Sequence, residues 1–143
     1  MIYADNAATT KLDNDAFEAM KVFLTENYGN ASQPYTFSNI PKKAIKEARE
    51  RIAKCIGAEP EEIFFTSCGT ESDNWAIKMG AGLKGEVITS SIEHHAVLNS
   101  CQSIEKCGHL VHYLPVTTEG IVDIQVLKKK ISNQTKLVSI MYA

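Results

Sequence analysis

The sequence predicts an α/β fold in which a parallel-rich sheet is flanked by helices. Three observations carry this prediction. From residue 62 onward, short apolar runs alternate with amphipathic stretches. The connections between them are short, and glycines stand where the amphipathic stretches end. Strand and helix alternating in this way build crossover units, which bury a parallel sheet between layers of helix.

The elements follow in order. Asp13 is placed to cap a first helix whose apolar residues include Phe17, Met20, Val22, Phe23 and Leu24. The stretch YGNASQPYTFSN, residues 28–39, is dense in Gly, Asn, Ser and Pro and reads as a loop. Pro41 suits the start of a long helix carrying Ala44, Ile45, Ala48, Ile52, Ala53 and Ile56, and Gly57 suits its left-handed end. EIFFTS, residues 62–67, reads as a first strand, and TESDNWAIKMG as a helix stopped at Gly80. EVITSS is a second strand, followed by the helix AVLNSCQSIEKCG, which Gly108 stops. HLVHYLPV is a third strand, VDIQVLKKKI a helix after the turn TTEG, and TKLVSIMYA a fourth strand. That last pattern runs to Ala143 with no turn or cap, so the chain is expected to be the N-terminal piece of a longer protein.

The bulk properties narrow the function classes. A length of 143 residues suits one domain, and 44% hydrophobic with 22% charged residues is ordinary for a soluble globular protein. The net charge of -2 and the lack of a lysine-rich face argue against nucleic acid as a partner. Lys128, Lys129 and Lys130 read as the solvated end of a helix. No run of about 18 apolar residues is present, so no membrane helix is expected. The N-terminus MIYADNAATT lacks the parts of a signal peptide, which makes the cytoplasm the expected compartment. Cys55, Cys68, Cys101 and Cys107 fit no CxxC or zinc spacing and are expected as free thiols. Cys55 and Cys101 lie in helical patterns that suit buried thiols.

Two joints between strand and helix carry chemical interest. In FFTSCGTESDN, Gly69 and Thr70 open a helix, whose unpaired N–H groups and dipole favour an anion. Gly69 permits close approach, and the Thr70 hydroxyl can donate or cap. Glu71 and Asp73 place two carboxylates in the same turn, which repel a dianion unless they are turned to other work. The turn is thus either a phosphate site or only a well-capped joint. It is neither a P-loop nor a dinucleotide fingerprint, since GxxxxGK[ST] and GxGxxG are both absent. The second joint is SSIEHHAVL, residues 90–98. Adjacent histidines at a helix start diverge by about 100°, which suits one metal poorly, so no metal is expected. His94 could lie flat against a planar aromatic cofactor while Glu93 takes a hydrogen bond, or it could be a half-exposed residue at a capped start.

The pieces YADNAATT (3–10), YGNAS (28–32), AIKEARERIAKCIGA (44–58), FTSCGTESDNWAIK (65–78), SIEHHAVL (91–98), TTEGIVD (117–123) and TKLVSIMYA (135–143) occur in one order along the chain. In this the sequence resembles the N-terminal part of the cysteine desulfurases, in the class V aminotransferase group of fold-type-I pyridoxal-phosphate enzymes. The resemblance implies the first part of that fold's large domain. Residues 1–12 would be an N-terminal segment near the substrate mouth, and residues 13–143 an incomplete cofactor-binding domain. It implies pyridoxal 5'-phosphate as cofactor, with Gly69 and Thr70 on its phosphate. His94 would stack on the pyridine ring and assist proton transfer. Ala7, Ala8 and Thr9 would lie on the substrate side. The implied reaction moves sulfur from L-cysteine to an enzyme cysteine, leaving alanine and a persulfide. A sulfur-acceptor or scaffold protein in iron–sulfur cluster assembly or thiolation is the implied partner, and the whole enzyme is implied to be a homodimer.

The sequence departs from the family pattern at several positions. Ala31, Tyr35 and Ser38 stand where GNPSSxHxxG has proline, histidine and its last glycine, and Cys68 stands where a glycine is usual. The Schiff-base lysine, the aspartate that pairs with the pyridine nitrogen and the persulfide cysteine match no position here. The 143 residues alone are therefore expected to be inactive. Two alternatives stand beside this reading. One is a non-catalytic module that binds a phosphate ligand or assists cluster assembly; the other is a related class V aminotransferase or selenocysteine lyase. The apolar strand at the end also predicts self-association.

Overall fold

The computed structural model describes residues 2–82 and 85–142. They fall into two compact units, Met1–Phe64 and Phe65–Ala143.

The first unit is helical. Helix α1 spans Asn14–Thr25, and the Asp13 carboxylate caps it by accepting the N–H groups of Asp15 and Ala16. None of its residues is buried: Phe17, Met20 and Leu24 are all exposed. Helix α2 spans Asn39–Ile56 and ends at Gly57, whose φ of 69° is the left-handed conformation that glycine adopts at least cost. It begins two residues before Pro41, directly after a short 3-10 turn at Thr36–Ser38. Its buried side is narrow, with Pro41 and Ala53 inside, whereas Ile45, Ile52 and Ile56 are exposed. Cys55 is exposed as well, against the expectation of a buried thiol. The Arg49 guanidinium donates to the Ile63 carbonyl and ties the helix to the segment that follows it.

EIFFTS forms no strand. Pro60–Glu62 is a 3-10 turn, and Ile63, though extended, belongs to no ladder. An apolar run becomes a strand only where a neighbouring strand accepts its backbone bonds. The sheet of the described residues has three strands, β2-β1-β3, and residues 62–67 are not among them. Ile63 is buried, while Phe64 and Phe65 remain more than half exposed.

The second unit is a parallel α/β layer. Helix α3 spans Gly69–Gly82, strand β1 Glu86–Ser90, helix α4 His95–Lys106, strand β2 Val111–Leu114, helix α5 Ile124–Lys130 and strand β3 Thr135–Ser139. The strand order is β2-β1-β3, with both pairs parallel. Val87 lies opposite Val111 on one side and Leu137 on the other. As the central strand, β1 is the most deeply buried, and Val87 and Ile88 are both fully enclosed. The core gathers Ile77 and Ala81 of α3, Val97, Cys101 and Ile104 of α4, and Val87 and Val111 of the sheet, with Leu137 packed against it. Helix α3 does not stop at Gly80 but continues to Gly82. Gly80 is instead a contact residue, because a Cβ there would lie 2.8 Å from the Leu137 Cβ. Gly108, with φ 89°, ends α4 as expected, and Asp123 caps α5 through the N–H groups of Gln125 and Val126.

This topology positions the site. Helix α3 leads into the start of β1, so its own first turn lies at the carboxyl end of the strands. Helix α4 starts directly after β1, so His94 reaches the same edge, where α/β sheets take their ligands.

Candidate functional site

Gly69 and Thr70 open α3, and both are exposed. The space around Gly69 is empty: a Cβ there would meet nothing within 4 Å. Its φ is not positive, so neither packing nor backbone strain requires glycine at this position. Open space before a helix start, beside the Thr70 hydroxyl, fits the close approach of a phosphate.

Glu71, one of the two acids in the turn, is turned to other work. Its Oε2 accepts the Ser67 N–H at 2.6 Å and the Ser67 hydroxyl at 2.7 Å. The N–H first, and the hydroxyl second, hold the Glu71 carboxyl below its usual range. Glu71 thus folds back onto the chain before the helix, a variant of the capping box in which the acid bonds one residue further upstream. The Thr66 and Ser72 hydroxyls meet at 2.7 Å and brace the same turn.

Cys68 sits at the helix cap. The Glu71 backbone N–H above all, then the Ser67 hydroxyl, hold its thiol below the ordinary value, and the Thr70 N–H adds to this. The Ser67 hydroxyl donates to the Cys68 sulfur at 3.7 Å. The sequence reading noted Cys68 only as standing where a glycine is usual, and did not foresee its lowered thiol. The available signal was its place three residues before Glu71, where a capping Ser or Thr normally stands.

His94 caps α4. Its Nδ1 accepts the Ala96 N–H at 3.1 Å, so a neutral ring carries its proton on Nε2. The ring is exposed, and it stands 6.3 Å from the His95 ring with the two planes tilted by 58°. Glu93 is buried and takes two hydrogen bonds, from the Ser90 hydroxyl at 2.7 Å and the Met141 N–H at 2.8 Å. The structure thus brings Gly69, Thr70 and His94 to one sheet edge within the second unit. Ala7, Ala8 and Thr9 belong to the first unit, in an exposed turn where the Asp5 carbonyl accepts the N–H groups of Ala8 and Thr9.

The sequence model of the family described as Aminotransferase class-V matches residues 2–143. The chain belongs to the class-V aminotransferase family. Among its curated relatives, the cysteine desulfurase IscS of Dictyoglomus turgidum is 51% identical over 99% of this chain. The cysteine desulfurase IscS of Clostridium botulinum is 49% identical over the same share. In both cases the chain spans 37% of the relative's length. Among solved structures, a NifS-like protein superposes with a TM-score of 0.92 at 41% identity, covering 97% of this chain and 39% of that one. SspA, solved in complex with cysteine, superposes with a TM-score of 0.89 at 39% identity, covering 96% of this chain and 41% of that one. The sequence resemblance is thereby borne out, and with it the α/β class.

Proposed function

We propose that this chain is the N-terminal part of a pyridoxal-phosphate-dependent cysteine desulfurase. The observation that carries the reading is the pairing of an open, glycine-started helix with a cap histidine at one sheet edge, in a chain about half identical to cysteine desulfurases. When bound, pyridoxal phosphate supplies an electron sink that weakens bonds at the substrate's α-carbon and β-carbon. Gly69 would admit the phosphate to the start of α3, and the Thr70 hydroxyl would donate to it. With Glu71 engaged by Ser67, its carboxylate is drawn back from the incoming anion. His94 presents a flat ring at the same edge, with the Nε2 proton available for exchange with substrate. Residues 1–12 run near the substrate mouth and contribute Ala7, Ala8 and Thr9, while residues 13–143 form part of the cofactor-binding domain.

The proposed substrate is L-cysteine, and the products are alanine and a persulfide passed to an acceptor or scaffold protein for iron–sulfur or thiolation pathways. The whole enzyme is proposed to be a cytoplasmic homodimer. No helix among the described residues is long and apolar enough to cross a membrane. Thr70→Val in the full-length protein tests the phosphate contact. Loss of one charge-assisted hydrogen bond of about 1.5–3 kcal/mol weakens cofactor retention roughly tenfold or more, read by dialysis and visible absorbance. Unchanged retention, or no alanine from L-cysteine with the wild-type protein, would overturn the reading. Alanine release by the 143 residues alone would refute the proposal that they are inactive by themselves.

A further inference from the structure

We infer that Glu93 is a positioning residue, fixing the His94 imidazole through the hydrogen bonds that its carboxylate accepts from Ser90 and Met141. The inference rests on the role proposed for His94, but its geometry stands independently. Glu93 is only 6% exposed, and a single oxygen, Oε1, receives both the Ser90 hydroxyl at 2.7 Å and the Met141 N–H at 2.8 Å. Ser90 is the last residue of β1 and is itself buried. Met141 lies two residues beyond the end of β3. One carboxylate therefore joins the exits of two neighbouring strands at the edge where the site lies. The Thr89 hydroxyl adds a second tie between the same strands, donating to the Ser139 carbonyl at 2.9 Å.

The position makes this arrangement informative. Glu93 immediately precedes the cap residue of α4, a place where helices commonly carry an apolar side chain that packs against the first turn. An apolar residue would serve stability at lower desolvation cost than a buried acid. A carboxylate here instead fixes direction. It sets the path of the chain into His94, and thus where the His94 ring stands when Nδ1 takes the Ala96 N–H. Because its second donor comes from the segment after β3, displacement of that segment is felt at His94.

The test compares Glu93→Gln with Glu93→Ala in the full-length protein, with and without cofactor. Gln keeps an acceptor oxygen and Ala removes it. In cofactor-free protein, the 15N shifts of His94 report a single Nε2–H tautomer for wild type and Glu93→Gln, and a tautomer mixture for Glu93→Ala. In loaded protein, kcat falls about tenfold or more in Glu93→Ala with little change in KM, and Glu93→Gln restores it to within about threefold. A single tautomer in Glu93→Ala, or equal losses in both variants, would overturn the inference. If Glu93→Ala does not fold, Ser90→Ala removes one of the two bonds, and the same tautomer readout decides. If the wild-type protein does not desulfurate cysteine, the proposed function fails, while the 15N result still decides the role of Glu93.

Discussion

The four cysteines differ most in what surrounds the sulfur. Cys68 is exposed, and its thiol is held below the ordinary 9.0, first by the Glu71 N–H and then by the Ser67 hydroxyl. Cys101 is buried among the core residues, and desolvation, reinforced by Glu105 and Glu93, pushes it up to about 11. Only the thiolate alkylates, so the signs differ. As pH rises, Cys68 becomes reactive before an ordinary thiol does, whereas Cys101 stays inert until far more alkaline solution. Iodoacetamide labelling across a pH series, read by mass spectrometry, is expected to place the Cys68 midpoint below 9 and to leave Cys101 unlabelled there. A Cys68 midpoint at or above the ordinary value would show that the groups around its sulfur do not favour the thiolate. At this scale the sequence was legible where chemistry is local: Asp13 and Gly57 each act within four residues of themselves. It offered a hydrogen bond for Glu93 but no partner, since Met141 lies 48 residues away. It was silent on the cost of burying Ser38. Its buried hydroxyl has no hydrogen-bond partner among the described residues.

Helix α3 shows how an element's neighbours override its own signals. Read alone, the Gly80 and Gly82 pair looks like a helix end, because glycine is the weakest helix former after proline. The helix nevertheless passes through Gly80, since that is where it approaches β3 most closely and only a hydrogen fits against Leu137. Gly80→Ala therefore sets two effects against each other. Alanine gains about 1 kcal/mol in helix propensity, while overpacking costs about 1–3 kcal/mol. The clash at 2.8 Å is with the Leu137 Cβ, which cannot swing aside as a flexible side-chain end would, so the cost prevails. Urea denaturation is expected to show a net loss of about 1 kcal/mol, and Gly80→Ala with Leu137→Ala should recover part of it. Equal or higher stability in the single variant would mean that α3 moves away from β3 without penalty. EIFFTS teaches the complementary lesson. Its composition is that of a strand, but a strand is a property of a pair, and nothing within those six residues reveals whether a partner exists.

Across the molecule, burial is unevenly shared between the two units. In the second unit a sheet with α3 and α4 on it encloses a contiguous core. In the first, only Ser38, Pro41, Ala53 and Ile63 are buried among the described residues, and α1 has no buried residue at all. Phe17, Met20, Leu24, Ile45, Ile52 and Ile56 all lie at least 40% exposed on two helices. Scattered apolar residues are normal on a protein surface, but whole helices with apolar faces uncovered are costly in water, at about 25 cal/mol for each Å² that could be buried. The sheet adds to this: β2 and β3 are its edges, and β3 exposes Val138. An unpaired parallel edge is a template for further pairing. The 143 residues taken alone are therefore expected to self-associate, with a light-scattering mass above that of one 15.8 kDa chain and rising with concentration. Lys substitutions at Phe17 and Leu24 should lower that mass, because charge on the face of α1 opposes contact without removing any buried residue. A monodisperse monomer at every concentration would show that the apolar faces of the first unit need no cover, and that its small core suffices.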